Sequence, residues 1–218
     1  MFAPRLVTAP DSTPVSLADV KAHLGLGPGA HPHDAEITGY IESVTETLDG
    51  WRGWLGRCIV DQTWAQDFEG WPCAYAFGLP FPDCRSAVVT YRDAAHASQT
   101  LTASAHSAPL STPLGGCVFL YSDAVLAALS SRPAPVTVTF TAGFGDQATV
   151  PRAIKQAIML EVGALYAKRG ASDVTIKSES VVGVGATEYF AAGEQSGRGN
   201  IASVAAERLL APYRIPRV

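Results

Sequence analysis

Apolar residues recur along this chain at two different periods. From Asp34 to Leu55, the positions Ile37, Ile41, Val44, Leu48, Trp51 and Leu55 follow one another at alternating steps of four and three. Glu36, Glu42, Glu46 and Asp49 fall on the other side, so the stretch is predicted to be one amphipathic helix. A shorter helix is predicted after Ser16, whose hydroxyl suits an N-cap, with Asp19 near the positive end of the helix dipole and Val20 and Leu24 on one side. Gly25, Gly27, Pro28 and Gly29 stop it. Pro151 occupies a first-turn position ahead of Ile154, Ile158, Val162 and Leu165, an apolar stripe flanked by Ala157 and Ala164. Those small residues would let another helix approach closely.

Between the second and third helices the period changes to two. Ile59 to Phe68 alternates, and Ala87 to Tyr91, Cys117 to Tyr121 and Val136 to Phe140 are β-rich runs bounded by Gly, Pro, Ser and Asp. Nothing between them supplies a crossover helix, which predicts antiparallel pairing. Asp123 to Leu129 has room for one or two helical turns. From Gly170 to Gly199 the chain is rich in Gly, Ser and Ala, with short strands predicted at Val174 to Ser178 and Thr187 to Phe190. That is long for a loop inside a compact domain, so it reads as an arm, a hairpin reaching a neighbour, or a linker. A short helical pattern and a proline-studded tail follow.

Composition narrows the classes. The 218 residues are 47% hydrophobic, enough for a core, but only 17% are charged, which suggests that part of the surface is interface. A net charge of -4 argues against a protein that grips nucleic acid by neutralising phosphates. Cys58, Cys73, Cys84 and Cys117 form no CxxC pair and are expected to be reduced and mostly buried. No stretch has the length and apolarity of a signal peptide or membrane span, which predicts folding in the cytoplasm.

Candidate chemistry is thin. His31, His33 and Asp34 could hold a metal, but Pro32 between them and the helix that follows favour a helix-start loop. Gly143-Phe-Gly145 and Gly183-Val-Gly185 are each half a dinucleotide fingerprint and lack a phosphate-loop lysine. Ser104 and His106 have no third partner to propose, and Glu42 with Glu46 reads as a solvated helix face. No catalytic residue, metal or cofactor is expected. Among the tryptophans, Trp51 falls on the apolar stripe, whereas Trp54 and Trp71 lie beside glycines and are candidate protein-contact aromatics, with core as the alternative.

Several ordered segments carry a resemblance. They are Pro14 to Leu24, the second helix ending at Gly56-Arg57, Gln62-Thr-Trp64, Leu79-Pro-Phe-Pro82 leading to Ser86 to Tyr91, Ala142 to Gly145, Val150 to Lys155, and Glu207 to Arg214. In that order the chain resembles the head-to-tail connector (adaptor) family of tailed phages, and most of all the adaptors of phage-like gene transfer agents. The resemblance implies a non-catalytic subunit whose partners are fellow copies in a dodecameric ring, the portal, and a tail-side stopper or tail-terminator protein. It implies assembly in the bacterial cytoplasm, residence in the particle neck, and a lumen through which DNA passes without specific binding. A tail-associated module that contacts carbohydrate or receptor is the alternative, motivated by the Trp-rich β region.

The expected fold is α+β: a small helical bundle with an antiparallel β insertion between the second and third long helices and an extended C-terminal arm. Residues 1–58 would supply the N-terminal helices, 59–149 the insertion, 150–170 the third helix, 171–199 a linker or hairpin, and 200–218 a docking arm. Leu209 and Leu210 follow a helix too short to be stable alone, and Pro212 and Pro216 bias the end toward an extended form. Leu209, Leu210, Pro212, Tyr213 and Arg214 are therefore the expected portal-binding residues, with a helix folded back onto its own bundle as the alternative that the Gly-rich linker also permits.

Overall fold

The computed structural model describes residues 2–112, 115–122, 126–169, 178–181, 185–188 and 204–215. It is an α+β chain that divides into two compact units: Met1–Pro14, Glu46–Pro151 and Tyr213–Val218 form one, Val15–Thr45 and Arg152–Pro212 the other.

The first unit is built from β1 (Arg5–Thr8), β2 (Gln62–Phe68), β3 (Ala76–Leu79), β4 (Cys84–Arg92), β5 (Ser98–Thr100), β6 (Leu110–Thr112), β7 (Gly115–Phe119) and β8 (Val136–Ala142). One sheet runs β1-β2-β8-β4-β5 and a second runs β3-β7-β6, and every pairing between these strands is antiparallel, as predicted. Alternation explains the core. In β8, Val136, Val138, Phe140 and Ala142 are buried while the threonines between them are half-exposed. Trp64 lies opposite Phe140, and Phe77 opposite Val118, so each sheet contributes an apolar face to one cluster that also holds Leu79, Phe81 and Val89. Strands β1, β3, β5 and β6 were not anticipated; they are three- or four-residue segments, too short for a period to register. Of the predicted turn at Asp123 to Leu129, residues 123–125 lie outside the described residues, and Leu129 makes a bridge to Asp93.

The second unit contains α1 (Leu17–His23), α3 (Arg152–Lys168) and α4 (Val204–Leu210), together with most of α2 (Asp34–Leu48). Helix α3 carries α1 and α4 on its flanks, with Ile154, Ala157, Ile158 and Val162 buried. Helix α1 begins with a full capping box: the Ser16 hydroxyl accepts from the Asp19 amide, and the Asp19 carboxylate accepts from the Ser16 amide and hydroxyl. Those bonds hold the Asp19 carboxyl below its usual range. Ser16→Ala should therefore lower stability by about 1 kcal/mol, readable as a shift in the denaturant midpoint with an unchanged slope.

Two expectations about helices are corrected. The second helix ends at Leu48, seven residues before Leu55. Gly50 takes φ +75°, a left-handed conformation that reverses the chain, and the Thr47 and Leu48 carbonyls then accept from the Trp54 and Leu55 amides. Leu55 is still buried and Trp51 still packs on the core. Their spacing matched a helix because it reports burial, which turns also provide. The C-terminal segment is likewise not extended: α4 packs on α3, Ala206 and Leu210 are buried, and a 3-10 turn covers Ala211–Tyr213. Burying a leucine this fully stabilises by about 2 kcal/mol, more than an unpartnered seven-residue helix supplies by itself.

The predicted strand at Val174 to Ser178 falls mostly outside the described residues. What is described there is β9 (Ser178–Val181) paired antiparallel with β10 (Gly185–Glu188), a two-stranded sheet of its own.

Candidate functional site

The residues expected to bind a portal sit at the C-terminal end of the described chain, and their surroundings can be built from the turn after β8. Gly143 has φ +147°, and a Cβ there would lie 2.7 Å from the backbone of Val60 and Asp61. Only glycine lets the two segments approach this closely, so the Asp61 amide can donate to the Gly145 carbonyl at 2.8 Å and the Phe144 amide to Ile59 at 3.2 Å. Phe144 is thereby held with the Arg57 guanidinium 5.1 Å from its ring centre and the Tyr213 ring edge-on at 6.2 Å. Arg85 donates to the Phe144 carbonyl at 2.6 Å and pairs with Asp61 at 3.3 Å; Arg57 pairs with Asp83 at 3.4 Å.

Beyond Tyr213, the Ile215 amide donates to the Leu55 carbonyl at 2.9 Å and its side chain is buried. Arg214 lies 4.4 Å over the Trp54 ring, a cation–π contact worth about 0.5–1 kcal/mol at an exposed site. Of the five expected portal-binding residues, Pro212 and Arg214 are exposed, Leu209 and Tyr213 half-buried, and Leu210 fully buried. Leu210 cannot contact a partner without unpacking α4, so its place in the segment is to anchor the helix.

The two candidate contact aromatics part company. Trp71 donates its indole N–H to the Ala127 carbonyl at 3.0 Å and packs against Phe77 and Tyr91, at ring distances of 6.4 and 5.2 Å. It closes the edge of the core. Trp54 is half-buried with one face covered by Arg214, which places it beside the exposed part of the C-terminal segment.

The polar clusters have local roles. His31 Nδ1 accepts from the His33 amide, and the Asp34 carboxylate accepts from the His31 amide and pairs with the buried Lys21 ammonium at 2.8 Å. Lys21 first, then the His31 amide, holds the Asp34 carboxyl below its usual range. No cluster of three metal-ligating side chains occurs among the described residues. The Ser104 hydroxyl bonds Thr102, His106 Nδ1 meets the Ser107 carbonyl, and Glu42 and Glu46 are exposed. Residues 183 and 184 of the second glycine motif lie outside the described residues. All four thiols are free. Burial pushes the Cys84 thiol up to about 12 and Cys58 well above the usual thiol range, which leaves both inert.

One half-buried polar residue runs against the periodicity. Asp49, expected on the solvent side of the second helix, instead accepts from the Ile59 amide and the Gln62 side chain, each at 2.7 Å. Burial pushes its carboxyl up, and those bonds pull against the shift. The Asp49-Gly50 pair, a turn signature, was the signal available in the sequence.

A scan of protein families finds none that matches this chain, and no curated protein matches it. Solved structures do. A chain in the neck of an empty GTA particle computed with C6 symmetry superposes with a TM-score of 0.67 at 19% identity, covering 100% of this chain and 97% of its own. A chain in the virion of a native gene transfer agent (GTA) particle gives 0.66 at 18% with the same coverage. A third, in the neck of a native GTA particle computed with C12 symmetry, gives 0.65 at 16%, again over 100% and 97%. From its first strand to its last helix, this chain has the fold of a protein of the gene transfer agent particle neck.

Proposed function

We propose that the chain is a structural adaptor subunit that forms a ring in the neck of a phage-like gene transfer particle, between the portal and the tail. The observation that carries this reading is the likeness in fold over the whole chain to neck chains computed under C6 and C12 symmetry. The order of the adaptor-like segments in the sequence supports it independently. A head-to-tail contact closes into a ring when its rotation divides a full turn, and the proposed ring is a dodecamer. On its tail side it would meet a stopper or tail-terminator protein. The subunit would assemble in the bacterial cytoplasm and act by packing rather than by catalysis.

The portal contact is assigned to the exposed part of the C-terminal segment, Pro212 and Arg214 with the accessible portions of Leu209 and Tyr213, while Leu210 holds α4 in place. Arg is favoured at such contacts because its planar cation can stack and donate at once. Arg214→Glu should leave the melting temperature within a few degrees of wild type while abolishing attachment to portal-bearing heads, as read by imaging of the necks. Normal attachment of this variant would remove the segment from the portal contact. Absence of wild-type protein from rings on portal-bearing heads would remove the adaptor reading altogether.

The ring would enclose DNA without gripping it. With a net charge of -4, the free protein should bind duplex DNA weakly or not at all at physiological salt. Micromolar binding with a steep salt dependence would contradict an open channel.

A further inference from the structure

Helices α2 and α3 carry charge of the wrong sign at their ends. Helix α3 opens on Arg152, follows it with Lys155, and has no acidic residue in its first turn, although a helix N-terminus is the positive end of its dipole. Helix α2 is the converse. Between Asp34 and Leu48 it contains no Lys or Arg, and Glu42 and Glu46 stand one turn apart in its second half, toward the negative end, where like charges at this spacing also repel. Both carboxylates are exposed. Among the described residues, neither these two nor Arg152 and Lys155 form an ion pair.

The cations border an open groove of about 450 Å³ between α1 and α3. Arg152, Lys155 and Met159 line its α3 side at helical spacing, and Val15, Asp19 and His23 line the side of α1 and its lead-in. The Asp19 carboxylate lies near Lys155 but is engaged by the Ser16 amide and hydroxyl, so the basic side chains are left to face outward. The outer face of α2 has a shape that suits such a groove. Ala35, Thr38 and Ser43 are small and exposed, and the Thr38 and Ser43 hydroxyls donate to the Asp34 and Gly39 carbonyls of their own helix. A Cβ at Gly39 would meet nothing within 4 Å. Small residues on this face would let α2 sink between two other helices.

We infer that the outer face of α2 in one copy seats in the α1–α3 groove of a second copy, with Glu42 and Glu46 against Arg152 and Lys155. Each pair is spaced about 5–6 Å along its helix, so two carboxylates meet two cations. The contact is heterologous, helix face to groove, so each copy offers one of each and the interaction propagates around a ring. This inference rests on the ring-subunit reading and names the contact that links its subunits. Charges that oppose the helix dipoles in the free chain are then paired by assembly, which gives the mismatch a purpose.

Charge reversal in the full-length chain tests it. Arg152→Glu with Lys155→Glu, and separately Glu42→Lys with Glu46→Lys, bring each helix end into accord with its dipole, so both free chains should melt at or above the wild-type temperature. Incorporation of either into necks on portal-bearing heads should nonetheless fall at least about tenfold, because like charges then meet across the contact. The chain carrying all four substitutions restores opposite charges and should recover most of the wild-type incorporation. Gly39→Leu tests the shape without altering charge: it should melt no lower than wild type, since helix propensity rises and the position is open, yet be incorporated at least about tenfold less. Wild-type incorporation of either reversed pair or of Gly39→Leu would overturn the contact while leaving the ring intact. A four-substitution chain as poorly incorporated as the pairs would also overturn it, since the groove or the α2 face would then serve a different protein. Should either reversed pair melt lower, the four-substitution chain and Gly39→Leu decide. Failure of the wild type itself to enter necks would instead remove the ring reading beneath it.

Discussion

Ile158→Asp is expected to prevent folding. Ile158 is fully buried at the centre of the α3 stripe, between Ile154 and Val162 and beside Ala157. A carboxylate there has no cation or donor in the apolar stripe to offset its lost hydration, so the cost is about 5 kcal/mol or more. Whole domains are stable by only about 5–15 kcal/mol, and the variant should be recovered as an aggregate or show no cooperative melt. Ile158→Leu, which keeps the volume, should cost less than about 1.5 kcal/mol and serves as the control. A soluble Asp variant melting like wild type would mean that this face of α3 is open in the free chain and is covered only by assembly.

The second large effect is expected at Gly143. An alanine Cβ would sit 2.7 Å from three backbone atoms of Val60 and Asp61, and backbone cannot swing aside as a side chain can. Relief requires separating the turn from the Val60–Asp61 segment, with loss of the Asp61-to-Gly145 hydrogen bond. Strain and lost pairing together should cost about 3 kcal/mol or more, measured by denaturant unfolding. The effect should also reach the C-terminus. Phe144 would lose its fixed place between Arg57 and Tyr213, so limited proteolysis near Tyr213 should accelerate relative to wild type. Wild-type stability and cleavage in Gly143→Ala would show that this close approach does not constrain the fold.

The same turn separates two kinds of information in the chain. The helices after Ser16, Asp34 and Pro151 and the long strands β2, β4, β7 and β8 were readable because each pairs a repeated apolar period with a local start or stop signal. Such signals act within a few residues and leave their mark in composition. The order of those segments also suggested a connector, and the GTA neck chains share this chain's fold. Where α2 stops was decided by contacts at a distance: the carbonyls of Thr47 and Leu48 accept from Trp54 and Leu55, and Asp49 turns inward to Ile59 and Gln62. An apolar period cannot distinguish a helix from a turn that buries the same residues.

The C-terminal segment illustrates the limit most directly. Its sequence specifies a helix too short to stand alone and prolines that end it, and both statements hold whether it projects or folds back. Only tertiary packing chose, by burying Ala206 and Leu210 in α4, stacking Arg214 on Trp54, and bonding the Ile215 amide to Leu55. Likewise the sequence placed Trp71 beside a glycine, but the Ala127 carbonyl that accepts its N–H lies far along the chain. Sequence by itself determined the local periods, the caps and the class of fold. Tertiary structure decided which apolar surfaces were covered, because burial depends on partners that are remote in sequence and leave no local pattern.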